Sequence, residues 1–302
     1  MSLKRALLIL YLGFWGGSIG VLGKWSFESF SPVQLIFIRV FVTLLILGTI
    51  LVVKGRFTDS LQKIVANLRH FTALAFWGVG AAMVLGFVGL GATSAIAYDL
   101  LFNLSGVLMV AVSWYGYREK VGGRELGLLS LALVGTALII IRPSSDGVHS
   151  IFGDVLVLLA SLGWAIYSVV GGKAVKKQPE LDPLTNLFGS FMLASIPLSI
   201  YIDQVEPFER AQMTTGAIAS ALILAIFGTA LLFLLWFRFV ETSSGATSAM
   251  VALSENIGGV IFPMIFLGEA LTLRAGFGGA IIISALVLME YRPARELRGG
   301  SK

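Results

Sequence analysis

Long apolar runs separated by short polar connectors recur from one end of the chain to the other, for example Ala6 to Leu22, Val33 to Val53, Leu126 to Ile141 and Ala275 to Met289. A helix that crosses a bilayer needs about 20 mostly apolar residues, whereas a barrel strand needs about 10 in strict alternation. The runs are too long and continuous for strands, and backbone groups in lipid must pair within their own segment, so the pattern predicts transmembrane helices. The predicted spans are 6–25, 32–53, 71–90, 93–115, 125–142, 152–172, 184–202, 214–236, 245–267 and 274–291. The longest connector is the basic stretch from Lys54 to His70. Lys4 and Arg5 ahead of the first run would also suit a signal peptide, but no small-x-small cleavage site follows, and the segment has a counterpart later in the chain.

That counterpart belongs to a repeat. Trp15, Ser18 and Lys24 in span one correspond, with identical spacing, to Trp164, Tyr167 and Lys173 in span six. Gly91-Ala92-Thr93-Ser94-Ala95 opens span four and Gly245-Ala246-Thr247-Ser248-Ala249 opens span nine; Glu119 follows the first and Glu269 the second. The offset between copies drifts from 149 to 154 and back to 150. A repeat with an odd number of spans lies upside down in its second copy. The expected fold is an all-α membrane protein of ten transmembrane helices, arranged as two inverted five-helix repeats. The units are 1–142 and 152–291, joined by a connector over 143–151 and followed by a basic tail over 292–302. Such symmetry commonly serves alternating access to a site near the midplane.

Composition sharpens this picture. Hydrophobic residues make up 57% of the chain and charged residues 13%, about half the share in a soluble domain. With both termini cytoplasmic, the cytoplasmic segments hold all of the 22 Lys and Arg residues except Lys24, Arg142, Arg210, Arg274 and the intramembrane Arg39. Topology and anionic headgroups therefore account for the net charge of +5, and nucleic acid is not implied. Cysteine is absent, no nucleotide fingerprint is visible, and the two histidines, His70 and His149, sit near segment ends. No metal site or cofactor is expected.

With these landmarks in place, the chain resembles the EamA-type members of the drug/metabolite transporter superfamily over nearly its whole length. Trp15-Gly16 followed by Lys24, Ser31-Pro32 leading to Arg39, and Gly153-Asp154 leading to Trp164-Ala165-Ile166-Tyr167 carry the likeness, with Glu255 and Gly268-Glu269-Ala270-Leu271-Thr272. The chain departs from the family pattern at Glu255-Asn256, where the family often has Glu-Pro, and at Ser105-Gly106, the corresponding position of span four. Pro263, two turns further on, could bend span nine. The resemblance implies ten helices and secondary transport of small organic substrates, often outward.

Candidate site residues follow from polarity inside the spans. Asp99 and Asn103 share one face of span four, and Ser254, Glu255 and Asn256 form the corresponding cluster in span nine. An acid inside a membrane faces a cavity or a partner, so Asp99 and Glu255 are candidates to bind a substrate amine or to carry a coupling proton. The alternative for Asp99 is a structural ion pair with Arg39. Arg39 itself could bind a carboxylate, or pair structurally with an acid or with helix C-terminal carbonyls. Trp15, Trp77, Tyr98, Phe102, Trp164 and Tyr167 lie well inside their spans and either line the site or pack, whereas Trp25, Trp114 and Trp236 suit headgroup anchors. Ser18 joins the substrate-binding candidates through its place in the repeat. Small-xxx-small pairs among Gly13, Gly16, Gly17 and Gly20, and at Gly123 and Gly127, suit close helix contact. Glu119 and Glu269 read as terminal pairing or capping.

The expected function is alternating-access export of small amphipathic metabolites, amino acids or related amines first, across a prokaryotic plasma membrane. The partners are the small-molecule substrate, membrane lipid and a coupling proton. A flippase for a lipid-linked substrate is the rival, to be favoured by an apolar lateral opening. Neither a metal cluster nor a nucleophile with its base appears, so an enzyme is not expected.

Overall fold

A computed structural model describes residues 3–118, 122–140, 150–177, 181–209, 213–236 and 245–290. Glu119, His149 and the tail over 292–302 lie outside them. Among the described residues the protein is all helical. The helices are α1 Leu3–Ser26, α2 Pro32–Val53, α3 Phe57–Ala66, α4 Leu68–Ala92, α5 Ala95–Phe102, α6 Leu104–Tyr117, α7 Gly123–Ile140, α8 Ile151–Lys177, α9 Pro183–Gln204, α10 Thr215–Trp236, α11 Gly245–Phe266 and α12 Leu273–Glu290. Among the described residues six stretches are long and apolar enough to cross a bilayer: α2, α4, Ala95–Gly116, Ile151–Gly171, α9 and α10.

The helix starts are written in the sequence. Ser31 closes a capping box with Gln34 ahead of Pro32, which suits N1 because that position needs no N–H. Asp182 caps Pro183 in the same way, accepting from the N–H groups of Leu184 and Thr185. Ser94 and Thr214 cap α5 and α10. Along α2, Ile36, Val40, Leu47 and Leu51 form a fully buried stripe facing α9 and α10, while Phe41, Leu45 and Val52 are exposed on the opposite side. Apolar residues are exposed likewise on α1, α8, α9 and α11, an exterior suited to lipid rather than water.

Four features depart from the sequence reading. The basic connector from Lys54 to His70 contains α3, an amphipathic helix that buries Ser60 and Ile64 and pairs Asp59 with Lys63 one turn on. Span four, Ala95–Gly116, is irregular at one residue between α5 and α6: Asn103 keeps a right-handed helical backbone, and its Nδ2 donates to the Asp99 carbonyl at 2.7 Å. Pro263 lies in the last turn of α11, which ends at Phe266, so it marks the helix end instead of a mid-span bend. Gly123 and Gly127 face open space; the close approach of α7 to α12 is made by Gly135 and Gly278.

Candidate functional site

The site is built where α1, α5 and α11 meet. A Cβ added to Gly17 would stand 2.7 Å from the Gly258 backbone, so α1 and α11 touch main chain to main chain. The neighbouring glycines make room for acids. A Cβ on Gly16 would lie 2.6 Å from Glu255 Cδ, one on Gly20 would lie 3.1 Å from Asp99 Oδ2, and one on Gly259 would lie 2.7 Å from Asp99 Cγ. Glu255 and Gly259 are one turn apart on α11, as are Gly16 and Gly20 on α1. Both carboxyl groups therefore occupy one glycine-lined slot, at successive turns.

They differ in what they face. Glu255 lines a cavity of about 150 Å³, walled also by Arg39, Phe87, Tyr98, Phe102, Trp164 and Phe233. Asn103, Met109 and Trp236 carry the cavity from mid-helix toward the C-terminal ends of α6 and α10. Asp99 lies outside its lining: it is buried, and its Oδ2 has no hydrogen-bond partner among the described residues. The ion pair with Arg39, the structural alternative for Asp99, is not formed among the described residues. Arg39 Nε donates to Thr229 Oγ1 at 2.9 Å, and its Cζ sits 4.5 Å from the Phe87 ring centroid.

At the other end of the helices the structure is tied shut. Glu269, carried on the turn that Gly268 makes at φ +67°, accepts from the N–H groups of Ala95 at 2.7 Å and Ile96 at 2.9 Å, capping α5. Thr93 Oγ1 donates to Asp154 Oδ1 at 2.6 Å, and Ser31 Oγ donates to Glu206. Each of these bonds joins residues from opposite halves of the sequence.

Of the sequence-derived candidates, the cavity brings together Arg39, Tyr98, Phe102, Asn103, Trp164 and Glu255. The others are placed elsewhere. Trp15 stacks on Phe227 at 5.0 Å, Ser18 Oγ donates to the Trp15 carbonyl, and Trp77 packs edge-on to Phe76. Tyr167 is buried against Gly78 beside Trp164. The side chain of Asn256 lies outside the described residues. Trp236, whose place at a helix end suits a headgroup anchor, lines the cavity instead; Met83, Phe87, Met109 and Phe233 also line it and carry no sequence signal beyond hydrophobicity.

Comparison with known proteins places this architecture. A model described as the EamA-like transporter family matches residues 3–141 and matches again over 151–291. The uncharacterized inner membrane transporter YicL of Salmonella typhimurium is 24% identical, over 98% of this chain and 98% of that protein. A probable amino-acid metabolite efflux pump of the same organism is 22% identical over 64% of this chain and 66% of its own length. A protein solved by crystallography shares the fold with a TM-score of 0.64 at 14% identity, over 99% of this chain and 100% of that one.

Proposed function

The chain belongs to the EamA-like transporter family and is a membrane transporter, and from that premise we propose that it exports small amphipathic metabolites, amino acids or related amines first, by alternating access. The observation that carries this reading is the cavity itself: a small, aromatic-walled space bounded by the acid of Glu255. Aromatic faces and a carboxylate suit an ammonium group attached to an apolar body. The distant efflux pump points to the same substrate class. An aromatic space with two charged groups on its walls offers little to the acyl chain of a lipid-linked substrate.

In this reading the helices form ten spans in two inverted units, 1–142 and 152–291, with both termini cytoplasmic. Three features support it. The family model matches each half; both α2 and α9 open on a capped proline; and spans three and eight each contain a π-helical stretch, Ala75–Leu85 and Ile226–Leu231. With that topology the cavity runs toward the cytoplasm, and the Glu269 cap closes the outer end. Trp15 and Trp164 then exchange roles as the two units swap conformations. Glu255 meets the substrate, while Asp99, off the cavity and one turn away, carries the coupling proton.

Flux of a labelled amino-acid panel in proteoliposomes, with and without a pH gradient, tests the proposal. Saturable flux that follows the gradient, and loses that response in Asp99→Asn, is expected. Absence of flux for every amino acid and amine would overturn the substrate class, and a gradient response kept in Asp99→Asn but lost in Glu255→Gln would reverse the two roles.

A further inference from the structure

A charge buried in a membrane interior needs a counter-charge or an ion-binding task. Arg39 has neither a carboxylate nor a carbonyl partner among the described residues, although its residue is only 2% exposed. Its Nε is held by Thr229, whose own hydroxyl is committed to the Leu224 carbonyl at 2.9 Å. The plane of the group is held by Phe87. These contacts fix the guanidinium without neutralising it, and Nη1 is left with no hydrogen-bond partner. The same side chain forms part of the cavity wall, with Tyr98 also on that wall and within electrostatic reach of both Arg39 and Glu255.

A planar fork of N–H donors, oriented in advance and with no carboxylate partner among the described residues, matches the two oxygens of a carboxylate. We infer that Arg39 binds the carboxylate of the transported molecule, with the ammonium turned toward Glu255. The site then takes zwitterions in preference to simple amines. An amine alone would satisfy Glu255 and leave the arginine uncompensated, whereas an amino acid neutralises both groups at once. This inference rests on the proposed small-molecule transport through the same cavity, and it divides the amino acids from the related amines within that class.

The test uses the full chain, purified in detergent and reconstituted in parallel. Binding is measured for a panel of apolar amino acids, each compared with the amine lacking its carboxylate and the acid lacking its amine. The readout is the ratio of amino-acid to amine affinity, which does not depend on the fraction of folded protein. In the native protein the amino acids are expected to bind tighter than their amines. Arg39→Gln should lower that ratio by at least about tenfold, the scale of one lost charged contact. Arg39→Lys, which keeps the charge but not the fork, should fall between, and Glu255→Gln should weaken the amines and spare the acids. Amines that bind and are transported as well as amino acids, with a ratio unmoved by Arg39→Gln, would overturn the role of Arg39 and leave the transport reading standing. A panel with no member bound or transported would overturn both.

Discussion

At the scale of single residues, the acids and glycines of α1 and α11 interlock. Gly16→Ala places a methyl group 2.6 Å from Glu255 Cδ, so the carboxyl must leave its slot. Gly48→Ala meets only an ordinary contact, 3.5 Å from Phe188 Cε2, and gains helix propensity. Thermal unfolding in detergent should show Gly48→Ala neutral or stabilised by up to about 1 kcal/mol, and Gly16→Ala less stable, with transport impaired. Sequence reasoning finds Asp99 and Glu255 because an acid in a membrane is costly wherever it sits. It does not find the missing partner of Arg39, because pairing is settled by which helices meet. Nor does it place Trp236, whose position at a helix end is the same for a headgroup anchor and for a cavity wall.

At the scale of elements, ends and breaks matter more than lengths. The start of α2 was legible from Ser31-Pro32, since caps are local chemistry, and the run Gly91 to Ala95 marked the boundary between α4 and α5, where Ser94 is the cap. The irregular turn at Asn103 was not legible, because it depends on a side chain taking its own helix's carbonyl. The helix Phe57–Ala66 was hidden by its brevity and its basic surroundings. Glu269→Ala should uncap Ala95 and Ile96 at a cost of about 1 kcal/mol, read as a lower unfolding temperature, and Glu269→Gln should recover part of it. Asp182, just outside its span, is a second test. Burial pushes its carboxyl up, but the hydrogen bonds from Arg56 and Thr185 and the Arg56 charge outweigh burial and hold it below its usual value. Its contribution is therefore fully present above about pH 4 and lost as acidification passes through the lowered value. Asp182→Asn, which keeps a cap and loses the ion pair, should flatten the acid limb of the stability curve.

At the scale of the whole molecule, the cavity belongs to both halves. Arg39, Phe87 and Tyr98 come from the first half, and Trp164, Phe233 and Glu255 from the second. Any exchange of the halves' conformations must remake it. The chain has no cysteine, so one introduced at Met109 is a clean reporter. It should react with a hydrophilic thiol reagent added from the cytoplasmic side, and substrate should slow that reaction. Reaction only from the opposite side would invert the topology proposed for the two termini.

The stacking of Trp15 on Phe227, 5.0 Å apart and 13° from parallel, has an optical meaning when set beside Trp164 on the cavity wall. Two indoles at matched positions of one repeated motif sit in unlike surroundings, one stacked on Phe227 and one on the wall of the cavity. With the other four tryptophans replaced by Phe, the pair becomes a built-in emission gauge of which half is closed. If the halves exchange conformations as proposed, a water-soluble quencher should dim Trp164 in the state described here and Trp15 in its mirror image, so the exchange can be followed as a change in emission intensity without any attached dye.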